Sequence, residues 1–187
     1  MNKIVKLTLF LLFIAALSGF LLAYVNGSTA PIIAKAQAAD LINGYKEIFP
    51  TAEEIVESSI KSDAPEILLI NEAKISGKTV GVIYKVATSG YGGKNTFLVA
   101  FDLEKQQITG VKILTHTETP GLGAKATEKW FTNRFIGKTT TEDLLIVKKS
   151  TEKTNEVEAI TAATITSKSI AKGINIAREH FIANFTK

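Results

Sequence analysis

The stretch Glu158-Ala159-Ile160-Thr161-Ala162-Ala163-Thr164-Ile165-Thr166-Ser167 places small and hydroxyl-bearing residues directly before an amphipathic segment. Apolar residues at steps of three and four predict a helix with one buried face, made of Ile170, Ile174, Ala177, Phe181 and Phe185. We expect Thr166, Ser167 or Ser169 to be its N-cap. Thr164 would then lie at the positive end of the helix dipole, where free backbone N–H groups favour an anion such as phosphate. The alternative is that these hydroxyls only cap a helix.

Upstream of this stretch, apolar and polar residues alternate in the way typical of β-hairpins. Glu72–Ile75 and Thr79–Ala87 flank the turn residues Ser76-Gly77-Lys78, and Thr96–Asp102 is followed by Gln107–Leu114. We expect the core-facing residues of the second hairpin to be Phe97, Val99, Phe101, Val111 and Ile113.

The other predicted elements are two strands and two helices. The strands are Leu144–Lys148 and Val157–Ile160, and the short helix is Lys125–Phe135. The other helix, Ile32–Ile48, starts at Pro31 and ends at Phe49-Pro50. It either continues the preceding segment or bends from it. This order predicts an α+β fold in which helices pack on one side of an antiparallel sheet. We expect Trp130 and Phe131 to be core residues.

The N-terminal residues predict a single membrane anchor. The 19 residues Leu7–Val25 carry no charge, which is long enough to cross a bilayer. Lys3 and Lys6 precede them, so the short N-terminus is expected in the cytoplasm and the rest of the chain outside it. The alternative is a cleaved signal peptide. We therefore divide the chain into a cytoplasmic N-terminus with its transmembrane anchor, residues 1–30, and an extracytoplasmic domain, residues 31–187, held at the cell membrane (inner or plasma membrane).

Composition excludes several classes of function. The net charge of +4 comes mainly from scattered lysines, with arginine only at positions 134 and 178, which does not indicate nucleic-acid binding. The chain has no cysteine, so it has no thiolate ligand for an iron–sulfur cluster and no cysteine to attach haem. The two histidines, His116 and His180, lie in different segments, and we expect no metal site. Any redox role must therefore rest on an organic cofactor.

Three motifs together resemble one known family. The stretch at 158–164 resembles the flavinylation motif Asp-x-x-Ser/Thr-Gly-Ala-Thr, with Glu158 in place of Asp and Ala162 in place of Gly. His116–Gly123 resembles His-x-Glu-Thr-Pro-Gly-Leu-Gly, and Gly90-Tyr91-Gly92-Gly93 resembles a Gly-Tyr-x-Gly element. These are motifs of the FMN-binding domain found in the G subunit of the Rnf ferredoxin:NAD⁺ oxidoreductase and in the C subunit of the Na⁺-translocating NADH:quinone oxidoreductase.

The resemblance implies a membrane-bound electron-transfer subunit that has no complete catalytic cycle by itself. It implies FMN bound covalently through a phosphoester to Thr164, attached by a separate flavin transferase that uses FAD. The partners would be other membrane subunits of an Rnf-type complex and membrane lipid. The residues implied to hold the cofactor are Thr164, Thr161, Ala162, Ala163, Glu118, Thr119, Gly121 and Leu122.

Alternative functions are open at this point. The short chain favours the Rnf type over the C subunit of the quinone-reducing pump, and a non-redox anchored binding module is a third class. A hydrolase triad of His116, Glu118 and Ser167 has suitable residue types but lacks a Gly-x-Ser-x-Gly elbow. His116 is either a hydrogen-bonding partner of the flavin or a turn-stabilising residue. An alanine at position 162 is strained if the motif's glycine has a positive φ.

Overall fold

The computed structural model describes residues 2–149 and 154–186. They fall into two compact units that divide after Asp40. Helix α1, Lys3–Ile48, makes up the first unit from Lys3 onward and contains Pro31. The most apolar 18-residue window of α1 has a mean hydropathy of 2.3, and none of its residues is buried. Within the described ranges α1 is the one helix that could cross a membrane by length and composition, a test that a signal sequence also passes.

The predicted helix at Ile32–Ile48 continues the preceding helical segment, and it ends at Ile48 as predicted from Phe49-Pro50. The second unit, from Leu41 onward, contains a five-stranded antiparallel sheet in the order β1-β2-β3-β4-β5. Its strands are β1 Glu54–Glu57, β2 Ile67–Ile75, β3 Lys78–Ser89, β4 Lys94–Asp102 and β5 Gln107–Thr115.

Both predicted hairpins are confirmed by the strand pairing. β2 and β3 are joined at Ser76-Gly77, where Gly77 has φ +76°, and β4 and β5 are joined at residues 103–106. Strand β2 begins five residues before its predicted start at Glu72, and the edge strand β1 was not predicted. Because β1 is only four residues long and half-exposed, its sequence carries too short an alternation to identify.

One face of the sheet forms the main core. Alternate residues of the two central strands point to this face and are fully buried: Val82, Tyr84 and Val86 from β3, and Phe97, Val99 and Phe101 from β4. Helix α3, Thr164–Phe185, packs on it through the predicted apolar stripe, of which Ile170, Ile174, Ala177 and Phe181 are buried. The alternation in the sequence therefore predicted this half of the core correctly.

The other face of the sheet is also covered, which differs from the prediction of helices on one side. Ile83, Leu98 and Ala100 are fully buried on this face, beneath the end of α1 and Phe49. The close approach uses a glycine on β5, because a Cβ on Gly110 would lie 2.8 Å from Ile48 Cα. The apolar residues of 41–49 therefore serve as a second core layer.

The predicted helix at Lys125–Phe135 is replaced by three short helical turns. These are a 3₁₀ helix at Gly123–Thr127, α2 at Lys129–Thr132 and a second 3₁₀ helix at Asn133–Phe135. Phe131 is fully buried, as expected for a core residue. Trp130 is 43% exposed and carries the Arg134 guanidinium 4.8 Å from its ring centroid, so its assignment to the core was wrong.

The two predicted strands between residues 144 and 160 pair with each other. They are β6, Leu145–Val147, and β7, Glu156–Glu158, which form a separate two-stranded parallel sheet. Chain segment 159–163 then connects β7 to the start of α3.

Candidate functional site

Three loops of the second unit meet at the start of α3. They are the β3–β4 loop at Gly90–Gly93, the segment at His116–Gly123 after β5, and the segment that enters α3. Between them is a cavity of about 430 Å³, within the usual range for a small-ligand pocket. It is lined by Tyr91, Glu118, Thr119, Leu122, Gly123, Ala162, Ala163, Thr164, Ile165 and Thr166.

One wall of the cavity rests on a tight turn at Thr119-Pro120-Gly121-Leu122. The Leu122 N–H donates to the Thr119 carbonyl at 3.2 Å, and Gly121 has φ +79°. Proline at the second position and a positive φ at the third are the features of a type II turn. The turn predicted from Pro120-Gly121 is therefore confirmed.

The opposite wall contains a second tight turn, at residues 160–163. The Ala163 N–H donates to the Ile160 carbonyl at 2.9 Å, and Ala162, the third residue, has φ +62°. Glycine is favoured at such a position because a Cβ crowds the backbone in the left-handed region. The condition for strain at Ala162 is thus met: the backbone takes the glycine conformation while the residue is alanine.

Helix α3 begins at Thr164, two residues or more before the predicted caps. Its N-cap is Ala163, which has no side chain able to cap the helix. Thr166, Ser167 and Ser169 lie inside the helix and are buried, so their prediction as N-caps was wrong. The first-turn N–H groups of α3 therefore receive no hydrogen bond from a capping side chain, and Thr164, Ile165 and Thr166 of this turn line the cavity.

The buried hydroxyls are engaged within the protein. Ser167 Oγ donates to the Ala163 carbonyl and accepts the Ile160 N–H, both at 3.0 Å. Ser169 Oγ donates to Thr88 Oγ1 at 2.8 Å. A Ser167 hydroxyl held in this way is not presented to His116, so no hydrolase triad is assembled. Thr161 and Thr164 are the exposed hydroxyls of the motif.

The Glu118 side chain is only 6% exposed, and it accepts several hydrogen bonds within the site. Its Oε1 accepts the Tyr91 N–H at 3.1 Å and Asn95 Nδ2 at 2.9 Å, and its Oε2 accepts the Gly92 N–H at 3.3 Å. Burial by itself raises the pKa of the Glu118 carboxyl, but hydrogen bonds from Asn95, Thr166 and the two backbone N–H groups outweigh it. They hold the pKa below its ordinary value, so the carboxyl is ionised at neutral pH.

Glycines allow this carboxylate to be enclosed. A Cβ on Gly90 would overlap Glu118 Oε1, and one on Gly92 would overlap the Thr117 carbonyl. A Cβ on Gly123 would lie 2.6 Å from Glu118 Oε2 and 2.7 Å from Thr166 Oγ1. The room at Gly123 is thus filled by Glu118 and Thr166.

The cavity has an apolar rim and no basic residue. Tyr91 is 73% exposed, Ile165 56% and Leu122 41%. None of its ten lining residues is lysine or arginine. Among residues 2–149 and 154–186, no group of three or more histidine, cysteine or acidic side chains is placed to hold a metal ion. An aromatic or apolar ring and an anion at the helix start suit this lining.

Most of the sequence-predicted site residues come together here. Glu118, Thr119, Leu122, Ala162, Ala163 and Thr164 all line the cavity. Gly121 and Thr161 do not line it but belong to the two turns that form its walls.

Two features of the site were missed. Asn95, 1% exposed, is a direct partner of Glu118, and only its position close after a glycine-rich loop hinted at a role. Glu158, the acid of the motif, is tied to Arg134: the guanidinium donates to the Glu158 carbonyl at 2.6 Å, and its Nη2 is 3.9 Å from the carboxylate. His116 accepts the Glu118 N–H through Nδ1 at 3.3 Å, which is a turn-stabilising contact.

Comparison with known proteins agrees with this site. Residues 90–179 match the model of the FMN-binding domain, a range that includes every residue lining the cavity. The fold is shared with the crystal structure of the C subunit of the Na⁺-translocating NADH-quinone reductase from Parabacteroides distasonis. The TM-score is 0.59 at 23% identity, over 73% of this chain and 79% of that one.

Similarity also extends over nearly the full length of curated relatives. The G subunit of the Na⁺-translocating ferredoxin:NAD⁺ oxidoreductase complex of Acetobacterium woodii is 36% identical, over 91% of this chain and 88% of the relative. The G subunit of the proton-translocating ferredoxin:NAD⁺ oxidoreductase complex of Clostridium ljungdahlii is 31% identical, over 99% of this chain and 95% of the relative. The chain therefore belongs to the family of G subunits of ion-translocating ferredoxin:NAD⁺ oxidoreductase complexes, and it contains an FMN-binding domain.

Proposed function

We propose that this protein is the electron-transfer flavoprotein subunit of a membrane-bound, ion-translocating ferredoxin:NAD⁺ oxidoreductase complex, with FMN attached covalently to Thr164. The observation that carries the proposal is the position of the Thr164 hydroxyl. It is exposed, lines the cavity and belongs to the first turn of a 22-residue helix whose N-cap has no capping side chain.

The residues present fit FMN. A phosphate group suits the α3 N-terminus, where free backbone N–H groups donate and the helix dipole favours negative charge. The flavin ring suits the apolar rim, which includes Tyr91 and Leu122. The bound flavin supplies the redox chemistry, and the protein positions it and shields it from water.

Exposure selects the residue that accepts the cofactor. Thr166 and Ser167 are 1% and 0% exposed, so a separate enzyme has no access to their oxygens without opening the helix. Of the two exposed threonines, Thr164 lines the cavity and Thr161 does not. Thr164 Oγ1 loses its proton and forms the bond to phosphorus when the pyrophosphate of FAD is cleaved, so that AMP leaves and FMN is retained as a phosphoester. A flavin transferase is the partner that this step requires.

The apolar N-terminal helix supports a membrane location. We infer that residues 1–30 form a cytoplasmic N-terminus and a single transmembrane anchor in the cell membrane, and that residues 31–187 form an extracytoplasmic domain. The hydropathy of α1 and the lysines at positions 3 and 6 support this orientation. Membrane lipid and the other subunits of the complex are then its partners.

The covalent link is tested by substituting the acceptor. Thr164→Val keeps the β-branched shape and removes the oxygen, and Thr161→Val is the matched control because it removes the other exposed threonine hydroxyl of the motif. Each protein is produced together with a flavin transferase and analysed by intact and peptide mass spectrometry. We expect wild type and Thr161→Val to carry the mass of FMN minus water on the peptide containing Thr164, and Thr164→Val to carry none. FMN on Thr164→Val, or a wild type without FMN beside an active transferase, would contradict the proposal.

The orientation is tested separately by reporter fusion. A phosphatase that is active only outside the cytoplasm, fused after Lys187, should be active, and a cytoplasmic reporter at the same position should not. Edman sequencing of the purified protein should find the N-terminal residues in place. A mature N-terminus near Ala30 would instead identify a cleaved signal peptide and refute the anchor.

A further inference from the structure

Glu118 lines the cavity, yet its oxygens accept hydrogen bonds from the β3–β4 loop and from the start of β4. We propose that Glu118 is a positioning residue whose ionised carboxylate holds the Gly90–Gly93 loop, and with it the ring of Tyr91, at the mouth of the cavity. The role of that ring toward FMN rests on the proposed function. The hydrogen bonds of Glu118 with the loop do not depend on FMN.

The hydrogen bonds join elements that are far apart in sequence. Tyr91 N–H and Gly92 N–H come from the β3–β4 loop and Asn95 Nδ2 comes from the start of β4, whereas Glu118 follows β5. An ionised carboxylate accepts about four hydrogen bonds and donates none. Glu118 therefore uses three of its acceptor positions on donors of the protein itself.

Asn95 carries an independent sign that the carboxylate is charged. Its side chain is 1% exposed, and Nδ2 faces Glu118 while Oδ1 is buried without a partner. Rotating the amide would satisfy nothing, because it would place Oδ1 against the carboxylate oxygen. An orphaned buried acceptor costs stability, so this orientation is explained by a strong bond to a charged acceptor.

Apart from the β3–β4 pairing of Ser89 with Lys94, which closes its base, the loop is held by few hydrogen bonds. Tyr91 itself is 73% exposed, and neither Gly90, Gly92 nor Gly93 has a side chain with which to pack. Within the loop, the Gly90 N–H donates to the Gly93 carbonyl at 2.7 Å. Thr117 Oγ1, from the segment after β5, donates to the Gly92 carbonyl at 3.0 Å. Two of its backbone N–H groups thus depend on a single carboxylate.

The charge of Glu118 is expected to matter more than its shape. A glutamine at this position keeps one acceptor oxygen and replaces the other with an amide that can only donate. That amide cannot accept the Gly92 N–H. The titratable group near Glu118 is His116, whose Nδ1 accepts the Glu118 N–H, and no lysine or arginine in the described ranges forms an ion pair with the carboxylate.

Hydrogen exchange on the full-length, flavin-free protein in detergent tests the hydrogen bonds directly. We expect the amides of Tyr91 and Gly92 to exchange about tenfold faster or more in Glu118→Gln, as follows from losing bonds to a charged acceptor. Glu104→Gln is the matched control, because Glu104 is exposed on the β4–β5 turn. The Ile108 amide, bonded to the Lys138 carbonyl at 2.9 Å, is the internal reference. Unchanged exchange of Tyr91 and Gly92 in a folded Glu118→Gln protein would overturn the proposal.

A second measurement keeps the proposal testable if Glu118→Gln does not fold. In the wild type, protection of the Tyr91 and Gly92 amides, corrected for intrinsic exchange, should fall relative to Ile108 as acid protonates the carboxylate. If the protection of the Tyr91 and Gly92 amides stays parallel to that of the Ile108 amide until global unfolding, the positioning role of Glu118 is refuted.

The flavin-loaded protein separates this proposal from the proposed function. With FMN present, Glu118→Gln and Tyr91→Ala should both change the circular dichroism of the flavin in the visible range. A wild type without FMN would refute the proposed function and leave the exchange comparison valid. Covalent FMN together with an unchanged flavin spectrum in both variants would refute the positioning role alone.

Discussion

Ala162→Gly should stabilise the protein, because Ala162 has φ +62° in the turn before α3. An L-residue in the left-handed region costs about 1–2 kcal/mol relative to glycine. Against this, the more flexible unfolded chain of the glycine variant costs about 0.4–1 kcal/mol. Ala162 is exposed, so removing its methyl group costs little packing. The net expectation is a gain of roughly 0–1.6 kcal/mol in the free energy of unfolding, centred on about 0.8 kcal/mol.

The assay is urea unfolding of the full chain in detergent, followed by the fluorescence of Trp130, the single tryptophan. Gln106→Gly is the matched control, because Gln106 has φ +50° and is exposed on the β4–β5 turn. It should give a similar gain in the free energy of unfolding. If Gln106→Gly stabilises and Ala162→Gly does not, backbone strain at the entrance to α3 is the wrong explanation for this turn.

Two further changes test the packing and the charge around the site. Gly173→Ala should lower the free energy of unfolding in urea by about 1–3 kcal/mol, because a Cβ there would lie 2.7 Å from Thr88 Cγ2 and 2.8 Å from Phe97 Cζ. An unchanged free energy of unfolding would mean that α3 can shift away from the sheet. The lowered pKa of Glu118 contributes stability that is present above the unfolded pKa of about 4.5 and is lost as the pH falls through the folded value. Glu118→Gln should therefore flatten the loss of unfolding free energy below about pH 4.5, and an unchanged pH dependence would contradict the assignment.

The elements that the sequence predicted well are those with long, regular patterns. Two hairpins and the α3 stripe repeat their apolar residues over long segments, and buried partners such as Phe101 and Phe181 follow that repeat. The Pro120-Gly121 turn was predictable because each residue restricts its own φ.

The start of α3 was not predictable from the same rules. Capping preference favours Thr166, Ser167 or Ser169, but their hydroxyls are used in other contacts, such as that of Ser169 with Thr88 on β3. Ser169 and Thr88 are 81 positions apart, so no local sequence pattern predicts this contact. Asn95 was missed for the same reason, because its role depends on Glu118 from another segment. The second core layer beneath Phe49 likewise depends on where the chain folds back.

The charges around the cavity bear on the proposed covalent bond between FMN and Thr164. With no lysine or arginine in the lining, a phosphate would be neutralised mainly by the α3 N-terminus, which contributes at most about 2 kcal/mol. That corresponds to roughly a thirtyfold gain in affinity. The ionised, buried Glu118 lies at the same cavity and opposes a second negative charge. An ester lowers the phosphate from two negative charges to one and makes retention independent of affinity. A site of this composition therefore favours attachment through Thr164 over binding by ion pairs.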